Sequence, residues 1–308
     1  MPSRSHLLFI VVAPLCGAAA LLAACGVIGP PATPTPEPPR VELVMASAEQ
    51  VVGPNRISLV VLDEKGTPIE FGGGHARFFQ IDGASATLRS ETVVYFRPIG
   101  LETMPGHAHQ LFSTHHLDMK GLWLAEATFD KSGPWGVEVT VDQPGRPLVV
   151  ARTQFDVLAA STSPAVGAPA PRSRNLIASD VKDISEISSA KPPGDMYDVR
   201  IADAVAAHRP LLVLFATPAF CTSRVCGPAY EIVQTVQPLY AREMDFVHIE
   251  IWKDPIKRIP LETVTEWGIQ NDPWVFLIDR NGAVRYKLSG LVTVDEMEEA
   301  IQQTLAVR

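Results

Sequence analysis

Apolar and polar positions divide the chain into stretches of different period. Residues 7–22 are almost wholly apolar after a short polar start at Arg4 and His6, and residues 29–40 are dominated by proline. From residue 41 to 157, short β-favouring runs recur at 41–45, 57–62, 76–81, 90–96, 122–129, 135–141 and 149–157. Alternation is clearest where Trp135, Val137, Val139 and Val141 are separated by Gly136, Glu138 and Thr140, which places the first set on one face of a strand. Asp63-Glu-Lys-Gly66, Asp82-Gly83, Lys131-Ser-Gly-Pro134 and Gln143-Pro-Gly145 supply turn chemistry between the runs.

About seven strands over roughly a hundred residues predict a two-sheet, all-β sandwich of immunoglobulin type over residues 41–158. No cysteine pair pins it. Residues 159–173 are small, proline-rich and lack large apolar groups, so they read as a linker. Beyond it the period changes. Residues 201–208 are helix-like, and Leu211-Leu-Val-Leu-Phe215 is a continuous apolar run, as in a strand buried on both faces. Residues 230–240 suit a helix, 245–252 a strand and 261–267 a short helix. Residues 274–279 and 284–288 flank Arg280-Asn281-Gly282, a hairpin signal. A last helix over 295–305 repeats Met297, Ile301 and Leu305 every four positions. The predicted architecture is therefore multidomain, an all-β sandwich followed by an α/β domain over 174–308.

The apolar leader is too short, and too rich in small residues at its end, for a comfortable membrane span. Leu22-Ala-Ala-Cys25-Gly26 resembles the lipobox of bacterial lipoproteins. The resemblance implies cleavage after residue 24, diacylglycerol on the Cys25 sulfur, and anchoring at the outer face of the cytoplasmic membrane in a bacterial cell envelope. Several acyl chains give the firm attachment that one cannot. Residues 25–40 would then be an extended, semi-rigid tether. The net charge of −8, with no basic cluster, argues against nucleic acid and against attraction to anionic lipid.

Of the four cysteines, Cys16 lies in the leader and Cys25 at its end, leaving Cys221 and Cys226 where an apolar strand meets a helix. A helix N-terminus lowers a thiol's pKa, and Arg224 adds positive charge within reach. Four residues intervene, so on a continuous helix the two side chains would be rotated by roughly 140° from each other. If the pair bonds, residues 222–225 cannot all be regular helix, and Cys226-Gly-Pro228 should start it.

The order β-α-β-α-β-β-α, with cysteines after the first core strand, resembles the thioredoxin fold. Val166-Gly-Ala-Pro-Ala-Pro171 looks like the entry segment of membrane-tethered, TlpA-type redoxins, and Asp272-Pro273-Trp-Val-Phe-Leu-Ile-Asp-Arg-Asn-Gly282 like their proline-strand-hairpin signature. The resemblance covers residues 165–308. It implies a redox-active disulfide as the only cofactor, with Cys221 as nucleophile, Cys226 as resolving thiol and Pro273 as a cis-proline facing them. Phe220 and Trp274 are the expected substrate contacts. The implied partners are exported thiol or disulfide proteins and an unidentified membrane or extracytoplasmic electron donor.

Two alternatives stand beside this reading. Sco-type copper chaperones also carry a widened cysteine loop on a thioredoxin fold, but Gln270-Asn271-Asp272-Pro273 lacks the histidine those proteins place there. A non-catalytic scaffold would keep the cysteines as a structural disulfide. A separate patch, His107, His109, His115 and His116 with Met104 and Met119, has the donor types for copper. There is no nucleophile-elbow triad, phosphate-cradling glycine loop or paired-carboxylate signature. The lipobox reading predicts that the mature protein partitions into the detergent phase of a Triton X-114 extraction. Cys25→Ser should return it to the aqueous phase, and a parent protein already aqueous would remove the anchor.

Overall fold

The computed structural model describes residues 41–100, 120–220 and 225–307. The leader, the tether with Cys25, the histidines His107, His109, His115 and His116, and Cys221 and Arg224 lie outside the described residues.

The first half is built of β1 (Glu42–Met45), β2 (Gly53–Leu62), β3 (Gly73–Asp82), β4 (Ser85–Pro98), β5 (Gly121–Phe129), β6 (Gly133–Asp142) and β7 (Val149–Val157). The two separate sheets expected from the sequence are instead one antiparallel sheet in the order β1-β2-β5-β4-β3-β6-β7. The reason is β4. At 14 residues it outruns β3, pairing with it as far as Tyr95 and with β5 from Tyr95 to Pro98, and so joins both layers. The sheet curls until its ends meet: Val51 bridges Leu158, and the Val52 and Leu158 amides donate across the seam at 2.9 Å each.

Alternation then fills one interior. Ile57, Leu59 and Val61 of β2, Trp123, Ala125, Ala127 and Phe129 of β5, and Trp135, Val137, Val139 and Val141 of β6 share a core with Phe78. Both buried indoles satisfy their N–H groups, Trp123 on the Ile69 carbonyl (2.7 Å) and Trp135 on that of Lys131 (2.9 Å).

The second half contains α1 (Ile201–Ala206), β8 (Leu211–Phe215), α2 (Cys226–Tyr240), β9 (Asp245–Ile249), a small hairpin of β10 (Trp252–Asp254) and β11 (Ile259–Pro260), α3 (Glu262–Glu266), β12 (Trp274–Ile278), β13 (Val284–Ser289) and α4 (Val294–Leu305). From β8 onward this is the predicted order with the hairpin added. The sheet runs β13-β12-β8-β9, with β8 and β9 parallel and β12 antiparallel to β8. Every residue of β8 is buried because helices cover both faces. Leu212 and Leu214 meet Ile232, Val233 and Val236 of α2, while Leu211, Val213 and Phe215 share a core with Ile201, Val205 and Trp267. Asp279 shapes the β12–β13 turn: its carboxylate accepts the Asn281 and Ala283 amides at 2.8 and 3.1 Å and pairs with Arg285 at 2.6 Å. The proline-rich stretch 159–173 is tied to this half, through Thr162 to the Gly268 carbonyl (2.6 Å) and Gly167 to that of Val284 (2.8 Å).

The halves dock through a shared core. Val60 and Leu62 of β2 and Leu122 and Leu124 of β5 point away from the sandwich interior and pack with Ile99 against the cluster containing Leu291, Val292, Val294 and Met297. Fully burying each such side chain is worth roughly 1.5–3 kcal/mol. At the margin Arg56 grips Glu296 with two hydrogen bonds, 2.5 and 2.8 Å, and also donates to the Leu291 carbonyl at 3.2 Å. Residues Pro39–Arg308 accordingly form one compact unit.

Burial alone would raise the pKa of Glu296, but Arg56 and the Thr293 N-cap outweigh it and leave it lowered from 4.5. Its contribution is therefore full above the unfolded-state value and is lost as pH falls through the folded one. Arg56→Met should cost on the order of 1–3 kcal/mol in urea unfolding at pH 7. The deficit should shrink below pH 4.5, the ordinary value of the carboxyl.

Candidate functional site

β8 delivers the chain to Ala216-Thr-Pro-Ala-Phe220, and α2 resumes it at Cys226. Val225 is the N-cap residue, and Pro228 falls in the first turn, where a missing N–H forfeits no helical bond. Cys226 is fully buried and disulfide-bonded, its partner lying outside the described residues. The helix dipole thus acts on the sulfur of Cys226, the first residue of α2.

The opposite wall is the Asp272–Pro273 peptide, which is cis. It brings Asp272 Oδ2 to 3.0 Å from Cys226 Sγ. A disulfide sulfur carries no proton, so in the oxidised protein any proton in this contact belongs to the carboxyl. After reduction the thiol can donate to it instead. Burial pushes the Asp272 carboxyl up to about 6, opposed by a hydrogen bond from the Thr217 amide and reinforced by the charge of Glu250. A carboxyl raised toward neutral pH therefore lies in contact with a disulfide sulfur. The proline motif contains this residue without marking it as part of a site; the signal it carries is a carboxylate set directly before the proline that leads into a core strand.

Buried polar groups behind the strand hold the segment 216–219 that follows β8. His248 of β9 is buried, and burial lowers its pKa against the opposing pull of Glu250 and the Ala216 carbonyl, which keeps the ring neutral. Its Nε2–H donates to the Ala216 carbonyl at 3.0 Å, leaving Nδ1 to accept from the Tyr197 hydroxyl at 3.0 Å. Glu250 accepts the Ser189 amide (2.8 Å), and Ser189 Oγ accepts that of Ala219 (3.1 Å). The segment 188–197 is thereby fixed under the turn that precedes the cysteines.

Phe220 is 52% exposed beside this turn. Trp274 is 4% exposed: its ring stacks on Phe276 (5.7 Å between centroids) and lies 5.0 Å from Lys287 Nζ, so it is closed to solvent. Pro273 is buried, and its carbonyl accepts the Gly290 amide at 2.9 Å. Among the described residues no group of three or more His, Cys, Asp and Glu side chains is placed to hold a metal ion. Nor is any described helix long and apolar enough to cross a membrane.

No family model matches the chain, and no curated protein matches it. Among solved structures, one assigned as a thiol:disulfide interchange protein DsbE from Chlorobium tepidum is similar over 47% of this chain and 100% of that one, at 21% identity and a TM-score of 0.33. Murine CRIg is similar over 40% of this chain and 98% of its own, at 11% identity and a TM-score of 0.22.

The raised carboxyl has a consequence for stability. A folded-state pKa above the ordinary 3.8 means that stability is full below that value and is lost as pH rises through about 6. Asp272→Asn should therefore stabilise the oxidised protein at pH 8 by on the order of 2 kcal/mol. At pH 4 it should change little, and equal effects at both pH values in urea unfolding would refute the assignment.

Proposed function

We propose that this chain is a thiol-disulfide oxidoreductase with a thioredoxin-like second domain, held in the bacterial cell envelope by lipidated Cys25. The observation that carries the reading is the buried, disulfide-bonded Cys226 at the head of a long helix, facing a carboxyl delivered by a cis-prolyl peptide. A purely structural disulfide has no use for a half-buried acid whose pKa is about 6 beside its sulfur, because leaving that acid charged costs stability at neutral pH.

In the proposed cycle the Cys221 thiolate, favoured by Arg224, attacks a disulfide of an exported protein. One substrate sulfur leaves as thiolate and a mixed disulfide forms. Cys226 then passes its proton to Asp272, and its thiolate attacks the Cys221 sulfur. The second substrate thiolate is released, and the Cys221–Cys226 disulfide holds the two electrons' worth of oxidation. For an ordinary thiol, moving the proton to a carboxyl near 6 is uphill by about 3 kcal/mol, and the α2 dipole acting on Cys226 reduces that cost. An extracytoplasmic donor reduces the pair again. Phe220, exposed at the turn, is the apolar contact for substrate.

Cys226→Ser should accumulate a mixed disulfide with envelope proteins, visible as dithiothreitol-sensitive adducts on non-reducing gels, and Cys221→Ser should not. If neither variant traps a partner and the parent reduces no insulin, the pair is a structural staple.

A further inference from the structure

The end of β13 is where the two halves of the chain touch, and the cis peptide of the site is tied to the same place. Ser289 Oγ accepts two amides from the sandwich, those of Ala48 (2.8 Å) and Glu49 (3.0 Å). Leu291 donates its amide to the Ala46 carbonyl at 3.1 Å. Between these contacts the Gly290 amide donates to the Pro273 carbonyl at 2.9 Å. Gly290 has a φ of 75°, and a Cβ added there would collide with the Ala46 carbonyl. No side chain fits at position 290 while the strap 46–49 is in place.

A second link repeats the first with side chains. Lys287 Nζ lies 3.8 Å from Glu49 Oε2 and 5.0 Å from the Trp274 ring, and both charged side chains are nearly closed to solvent. The strap is itself anchored in the sandwich, since Ala46 donates to the Ser58 carbonyl (2.8 Å) and Ser47 Oγ accepts the Ser58 amide (2.7 Å). A domain that served only as a spacer would need apolar cover between the halves. It would not need polar groups matched to the backbone next to a cis-proline.

We infer that the sandwich strap 46–49 is a positioning element of the thiol-disulfide site. Through Ser289, Gly290 and Lys287 it fixes residues 272–274, and so sets the distance between Asp272 and Cys226. The inference rests on the oxidoreductase reading above and extends the site to residues of the first domain. Among the described residues, the titratable groups acting on Asp272 are Glu250, just after β9, and Cys226 at the start of α2. Displacing the cis peptide would move Asp272 away from its sulfur and change the pH at which the pair reacts.

The test uses the full-length chain. Ser289→Ala removes the shared acceptor, Gly290→Ala pushes the strap away, and Ser289→Thr keeps the hydroxyl. Val139→Ala weakens the sandwich core away from the strap and serves as the control. The readouts are the rate of disulfide reduction by dithiothreitol from pH 5 to 9 and kcat/KM for insulin reduction. Ser289→Ala and Gly290→Ala should lower both about fivefold or more, because small displacements of reacting groups are costly. They should also move the midpoint of the pH dependence by about half a unit. Ser289→Thr and Val139→Ala should stay within about twofold of the parent, without a shift. Should Gly290→Ala fail to fold, Ser289→Ala, which deletes one oxygen, decides. An unmoved Ser289→Ala, or a Val139→Ala that behaves like it, in an active parent overturns this inference alone. An inactive parent whose Cys226→Ser form traps nothing takes the oxidoreductase reading down as well.

Discussion

The structure depends on the burial of β2 and β5 on both faces. In most strands of the curled sheet one face is packed and the other is polar. In these two, Val60, Leu62, Leu122 and Leu124 are packed against Leu291, Val292, Val294 and Met297. The hydrophobic effect is indifferent to direction, so this apolar cover alone would let the halves slide. Orientation comes from the polar fringe: Arg56 on Glu296, and the paired amides of Ala48 and Glu49 on one serine oxygen. Apolar area supplies the strength and directional hydrogen bonds supply the register.

The same division of labour governs the surroundings of the Cys226 disulfide. Helix α2 and the core strands exclude water around Cys226, which makes every charge near it more effective. Against that sulfur the fold sets the Asp272 carboxyl, held by the Thr217 amide and joined to the following residues by the cis-prolyl peptide, with the Glu250 charge acting on it from just beyond β9. Neutral imidazole at His248, with Tyr197 and Glu250, ties the supporting loop beneath the strand without placing a compensating cation beside the sulfur. The arrangement costs stability when Asp272 is charged, and it is in that charged form that the carboxylate can accept a proton.

Much of this was legible in the sequence, and the exceptions have physical causes. The alternation of Trp135 to Val141 identified an inward face because period two is a local property of extended chain. The uniform run Leu211 to Phe215 identified a central strand for the same reason. The run 57–62 carried a related signal, broken alternation, but a strand cannot announce what covers its second face. Two layers joined by one long strand were likewise beyond pattern, since β4 changes partners through pairing with residues far along the chain. Asp272 stands 46 residues from Cys226, and the strap 240 or so from Ser289. Such meetings are settled by how whole elements stack, and no local period encodes them.

The seam at Val51 and Leu158 has a further meaning. A β-sheet with two open flanks offers unpaired amides and carbonyls to any neighbouring strand, and proteins crowded side by side are exposed to that hazard. Here Val51, between β1 and β2, meets Leu158, just after β7, and the Val52 and Leu158 amides are satisfied across the join. At this point the curled sheet has no free amide to offer a strand of a second molecule.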